Sequence, residues 1–285
     1  MTVKDYITFP RTFENYKWYK PLIVIILTFI IMLIISGIIT FASYQILGRE
    51  FLVGTIGNGI DSLNSAESIF FADLNIIMFI PSLYIASKIV NDRPFSSYSS
   101  SRGGWNFKLY LKALIIPLIL YIIYMAAESI ILAKKPSINF SIAFLLVIFI
   151  SIPLQSIAEE YIFRGLLMQT LGSWSKIPVL ALVLQAIIFG LFHGYNSLGL
   201  IETITMGLVC GYFAWKTNGI EVCSAIHSAN NMSIGIFVML GLHTSTSSPQ
   251  LMSVLPTVIF LIVLAAILYY IGEKTEWFGE IQQDA

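Results

Sequence analysis

The sequence predicts an all-α, polytopic transmembrane helical bundle of about eight helices, and three observations predict it. Of 285 residues, 57% are apolar and only 11% are charged, whereas an ordinary soluble domain carries about 25% charged residues. Three runs contain no charge at all: Pro21 to Gly48, Ile138 to Ala158 and Val222 to Gly272. Roughly 20 apolar residues cross ~30 Å of hydrocarbon, so these runs are spans. Finally, Lys and Arg are shared unevenly among the connections, as they are in membrane proteins of fixed orientation.

The elements follow in order. The first span, about 22–47, begins after some twenty mixed residues and is too long for the apolar core of a signal peptide, so no cleavable leader is expected. Trp18 and Tyr19 before it suit an interface. The segment from Glu50 to Glu67 reads as a loop. Further spans are expected at 69–90, 109–133, 138–171, 177–194, 199–215, 220–241 and 251–271. Lys112 and Glu128 lie near the ends of the third, where long side chains reach the interface. Asn91 to Phe107, with Pro94, serines and Gly103-Gly104, is a polar connector. His243 to Gln250 divides the last uncharged run. No internal repeat and no soluble domain interrupt a single membrane domain over 1–285.

An N-in start puts thirteen Lys and Arg, from Lys4 to Lys274, on the cytoplasmic side; only Arg49, Lys134 and Lys135 fall outside. That bias predicts a multi-pass protein of the cell membrane with both termini cytoplasmic. The 16 basic and 16 acidic residues offer no surface for nucleic acid, and Cys210 and Cys223 form neither a disulfide framework nor a zinc pattern. The expected partners are the lipid bilayer and a peptide or protein at the membrane.

Ionisable groups within spans are costly and mark function or pairing. Glu159, Glu160, Arg164, His193 and His227 cluster in the second half, with Asn231 beside them. Glu160 and Arg164 are four apart and share a helix face, while Glu159 lies about 100° round the helix. One carboxylate is thus accounted for by an ion pair, and the other is left free. His227 and Asn231 also share a face. Gly172, Ser173 and Pro178 mark a turn centred near Ser175, and Glu159 and His193 lie 16 and 18 residues from it. Both therefore stand about 25 Å from the turn, level with each other in an antiparallel hairpin. The helix carrying Glu159 must be long, with a kink expected at Pro153. Gly207 and Gly211 read as a close-packing face, and neither Glu202 nor His243 is given a role.

Ala158-Glu159-Glu160-Tyr161-Ile162-Phe163-Arg164-Gly165 resembles the EExxxR motif of the CPBP family, the CAAX proteases and bacteriocin-processing enzymes also called Abi. Phe189 to His193 resembles its FxxxH motif and His227 to Asn231 its HxxxN motif, in the family's order. The resemblance covers about 150–240, and the catalytic core is expected at 138–241. It implies that Glu159 is the general base that activates water, helped by His193. It also implies that Glu160 is held by Arg164, and that His227 and Asn231 stabilise the oxyanion. Preorganised donors of that kind are a large catalytic factor.

Two histidines and a glutamate could ligate zinc. No H-E-x-x-H helix is present, and the resemblance points to glutamate chemistry, so no cofactor is expected and zinc is the alternative. The expected function is an intramembrane endopeptidase acting on a membrane-associated peptide or protein, a peptide precursor or bacteriocin-linked role being favoured. A non-catalytic bacteriocin self-immunity or regulatory protein is the alternative. A proton-coupled transporter fits less well, for want of repeated halves and paired broken helices.

Overall fold

The computed structural model describes residues 5–279. Lys4 and the extreme termini, on which part of the charge count and the placement of both ends depend, lie outside the described residues. Within them the chain is helical throughout, without a strand. The helices are α1 (Lys20–Asn58), α2 (Ala66–Val90), α3 (Phe107–Ile131), α4 (Ile142–Ser175), α5 (Pro178–Phe192), α6 (Ser197–Lys216), α7 (Glu221–Met239) and α8 (Leu251–Thr275).

Seven of the eight expected spans are long and apolar enough to cross a membrane; the one expected at 177–194 is not. Pro178 starts α5 at its first turn, and the chain leaves the helix at Gly194, where φ is +68°. The resulting 15 residues reach only about 22 Å. The expected loop from Glu50 also proves helical as far as Asn58, because the chain bends at Gly48 (φ 83°) and then resumes the helix. That outer piece buries Leu52 and Thr55.

The connections gather at two ends. At one end, the Tyr6 hydroxyl donates to Tyr98 O, Trp215 Nε1 donates to Asp5, and Ile220 N–H donates to Ser99 O. At the other, Ser137 N–H donates to Leu240 O, Ser247 N–H to Asp61, and Asn196 N–H to Ser247 O. Short α5 still carries the chain from the first end to the second. Arg93, Arg102, Lys176 and Lys216 lie at the first end, and Lys134 and Lys135 at the second.

Helices α4 and α7 form the centre, with α7 packed most heavily against α3. Small residues permit this closeness. A Cβ on Gly207 would stand 2.9 Å from the Ala186 Cα, and one on Gly235 would stand 2.8 Å from the Ile152 side chain. The first contact is the close helix packing expected of the 207–211 face. Around Pro153, α4 absorbs the missing N–H by widening instead of a simple kink. Val147–Ser151 and Tyr161–Met168 are π-helical, and the regular turns between them carry Glu159 and Glu160. Such wide turns recur at functional sites, where they re-aim side chains.

Candidate active site

The two glutamates differ as their spacing predicts. Glu160 and Arg164 are fully buried, and Arg164 NH1 donates to Glu160 Oε1 at 2.8 Å. Arg164 NH2 also donates to Gly207 O (3.1 Å), and its guanidinium lies over the Phe189 ring at 4.4 Å. A buried cation held by a carboxylate, a carbonyl and a ring face is compensated on every side the helices offer. Glu159 lies at the chamber wall, its side chain 12% exposed.

Both histidines converge on Glu159. His193 Nε2 stands 3.9 Å from Glu159 Oε2, and His227 Nε2 stands 3.5 Å from the same oxygen. His193 Nδ1 lies 2.7 Å from Phe189 O. A carbonyl can only accept, so Nδ1 carries the hydrogen and Nε2 offers a lone pair toward Glu159. The Phe189-to-His193 spacing thus fixes a tautomer, and the ring is further held by Tyr195, stacked at 6.0 Å and 9°. The 3.9 Å separation exceeds a direct hydrogen bond and leaves room for a water touching both atoms.

His227 occupies a position that spacing along the chain did not reveal. Its Nδ1 lies 2.8 Å from Glu160 Oε1, the oxygen that also receives Arg164. With Nδ1–H donating there, its Nε2 is left facing Glu159, so one imidazole bridges the two carboxylates. Asn231 lies one turn further along α7. Its Nδ2 donates to Gln155 Oε1 at 3.0 Å and Ser156 Oγ at 3.3 Å, while its Oδ1 accepts from Asn230 at 2.8 Å. Five of the six expected site residues therefore form one contact network, and Asn231 stands beside it through Gln155. Among the described residues, no three His, Cys, Asp or Glu form a group that could hold a metal ion.

Sequence reading passed over three neighbours. Gln155 is one turn before Glu159 and buried. Tyr195 follows His193 by two residues. Asp73, buried on α2 with Oδ2 unpartnered, stands within electrostatic reach of Glu159. An acid in the middle of an expected span was itself the signal for Asp73. A cavity of about 270 Å³ opens beside Glu159 and His193, walled by Phe29, Phe79, Phe163 and Phe192. Glu202 and His243 are not in this network.

Residues 140–233, which hold the whole network except its outer neighbours, match the family model for the type II CAAX prenyl endopeptidase Rce1-like proteins. The chain carries a CPBP-family core. At the level of the family, the Rce1-like segment is that of a CAAX-type membrane peptidase. The chain is also similar to the uncharacterized protein YyaK of Bacillus subtilis (strain 168), 26% identical over 185 residues. That match covers 60% of this chain and 61% of the relative, so it spans less than two thirds of the relative's length. No solved structure matches.

Proposed function

We propose that this protein is an intramembrane endopeptidase in which Glu159 activates the water that attacks a peptide bond. One observation carries the reading. Glu159 Oε2 faces the Nε2 atoms of both histidines, while Glu160 is committed to Arg164 and His227. A base needs a free oxygen within reach of the proton it takes, and only Glu159 has one beside an open chamber.

In the reaction, water held between Glu159 and His193 gives a proton to Glu159, and its oxygen bonds to the scissile carbonyl carbon. The C–N bond then breaks as that proton passes to the leaving nitrogen, returning Glu159 to its carboxylate form. The charge that develops on the carbonyl oxygen requires donors, and the bridging His227 and the Asn231 rung stand on that side. Glu160 and Arg164 hold His227 in place. No step draws on a metal.

The substrate class is a membrane-associated peptide or protein. The family description names prenylated CAAX substrates, and a peptide precursor is the favoured alternative within the class. The partition of Lys and Arg supports an assignment to the cell membrane with the Arg93–Lys216 end cytoplasmic. Reporter fusions after Ala285 and within 242–250 should report inside and outside, and a cytoplasmic signal from 242–250 overturns that orientation.

Peptide profiles of cells carrying wild-type protein or Glu159→Gln test the function directly. Peptides that vanish from the variant are the products. Identical profiles, with both proteins folded at equal abundance, reject the peptidase in favour of a binding role. Activity of purified protein should survive a strong chelator; loss that zinc alone restores would replace the water-activating carboxylate with a metal site.

A further inference from the structure

We infer that Gln155 is a catalytic residue that donates from its Nε2 to the scissile carbonyl, with Asn231 as the positioning residue that aims it. This inference rests on the reading of Glu159 as the base. Helices α4 and α7 run in opposite directions, so equivalent steps along each meet again. At one level Glu159 and Glu160 meet His227. One turn outward Gln155 and Ser156 meet Asn231.

At this second level Asn231 has no donor to spare. Its Nδ2 is directed at two protein oxygens, Gln155 Oε1 and Ser156 Oγ, and its Oδ1 is taken by Asn230. The Ser156 hydroxyl in turn donates to Ile152 O at 3.0 Å, so it meets Asn231 as an acceptor. The same bonds orient Gln155. With Oε1 fixed by Asn231, the amide is turned and its Nε2 hydrogens face the other way, where no described residue accepts them.

A buried amide donor without an acceptor costs free energy, and the cost is recovered only if the acceptor arrives with the substrate. Gln155 is four residues before Glu159, which stacks the two side chains on one face of α4. The free donor therefore stands next to the base, on the side away from the Glu160–Arg164 pair. A neutral amide suits that place. It donates to a developing oxyanion without competing for the proton that Glu159 holds. His227 meets the same need less freely, because both its nitrogens already face carboxylates.

The experiment uses the full-length protein in cells. Products are defined as the peptides present with wild type and absent with Glu159→Gln, and their formation is followed by pulse-chase. Rates are expressed per folded molecule, with melting of each purified variant measured alongside. Gln155→Leu removes the donor, and Gln155→Glu removes it while keeping the oxygen that Asn231 and Ser156 bind. Both should slow product formation by about 10²–10³, the usual loss for one oxyanion donor, and Gln155→Glu should melt like wild type. Adding Asn231→Leu to Gln155→Leu should slow it no further, because the two act in series. If Gln155→Leu and Gln155→Glu keep wild-type rates while Glu159→Gln is inactive, Gln155 is not the donor and the base reading stands. A rate loss that merely tracks loss of folded protein overturns the inference too. If Glu159→Gln makes products normally, the base reading and this inference fall together.

Discussion

Helices α1 and α7 are opposites in a way that a soluble protein would invert. α1 is the most apolar candidate span, yet only 11% of its apolar window is buried inside the protein; α7 is the least apolar, and 78% of its window is buried. In water the polar helix would be outside. In a bilayer the solvent is hydrocarbon, so apolar side chains gain little by turning inward, and small or polar residues pack the interior. α7 accordingly carries Ser224, His227, Ser228 and Ser233 buried, whereas α1 turns Leu33, Ile34 and Ile38 outward. The lesson is that polarity within spans, more than hydropathy, locates the working centre.

The largest expected effect comes from the most polar position of that centre. Glu159→Gln should lower the rate of product formation by about 10²–10⁴, the range for a general base, with melting unchanged because Glu159 has no ion-pair partner to strand. Next comes Arg164→Ala, which leaves Glu160 buried without its cation. It should cost about 3–5 kcal/mol of stability and lower folded protein in the membrane. Replacing Glu160 and Arg164 together by leucine should recover abundance, though not activity; a double variant no more abundant than Arg164→Ala would break the view that the pair is isolated.

Smaller changes sharpen the contrast between inner and outer helices. Gly207→Ala puts a methyl 2.9 Å from the Ala186 backbone, and overpacking of this kind should cost about 1–3 kcal/mol, read as a lower melting temperature. Ile34→Ala, on the outward face of α1, should stay within about 0.5 kcal/mol. If Ile34→Ala destabilises as much as Gly207→Ala, α1 has a partner face and the contrast between the two helices fails.

Much of the site was legible because helical geometry converts spacing into position. The four-residue step from Glu160 to Arg164 reappears as a 2.8 Å contact. Counting from Ser175 set Glu159 and His193 level, and they stand 3.9 Å apart. These inferences needed only one helix or one hairpin. What could not be read depended on contacts between helices far apart in the chain. No spacing rule places His227 between two carboxylates 67 and 68 residues earlier, and none sets Gln155 against Asn231. The span lengths failed locally for a different reason. Apolar residues continue across 177–194, but a proline at one end and a left-handed glycine at the other cut the helix short.

That short helix has a consequence for the supply of water. A 15-residue wall is about 8 Å shorter than the hydrocarbon is thick, and lipid meets such a mismatch by thinning. His193 stands at the end of that wall. The membrane surface is drawn down to the histidine, so a hydrolase made of apolar helices keeps a wet shore beside its base without a polar channel bored through the bundle.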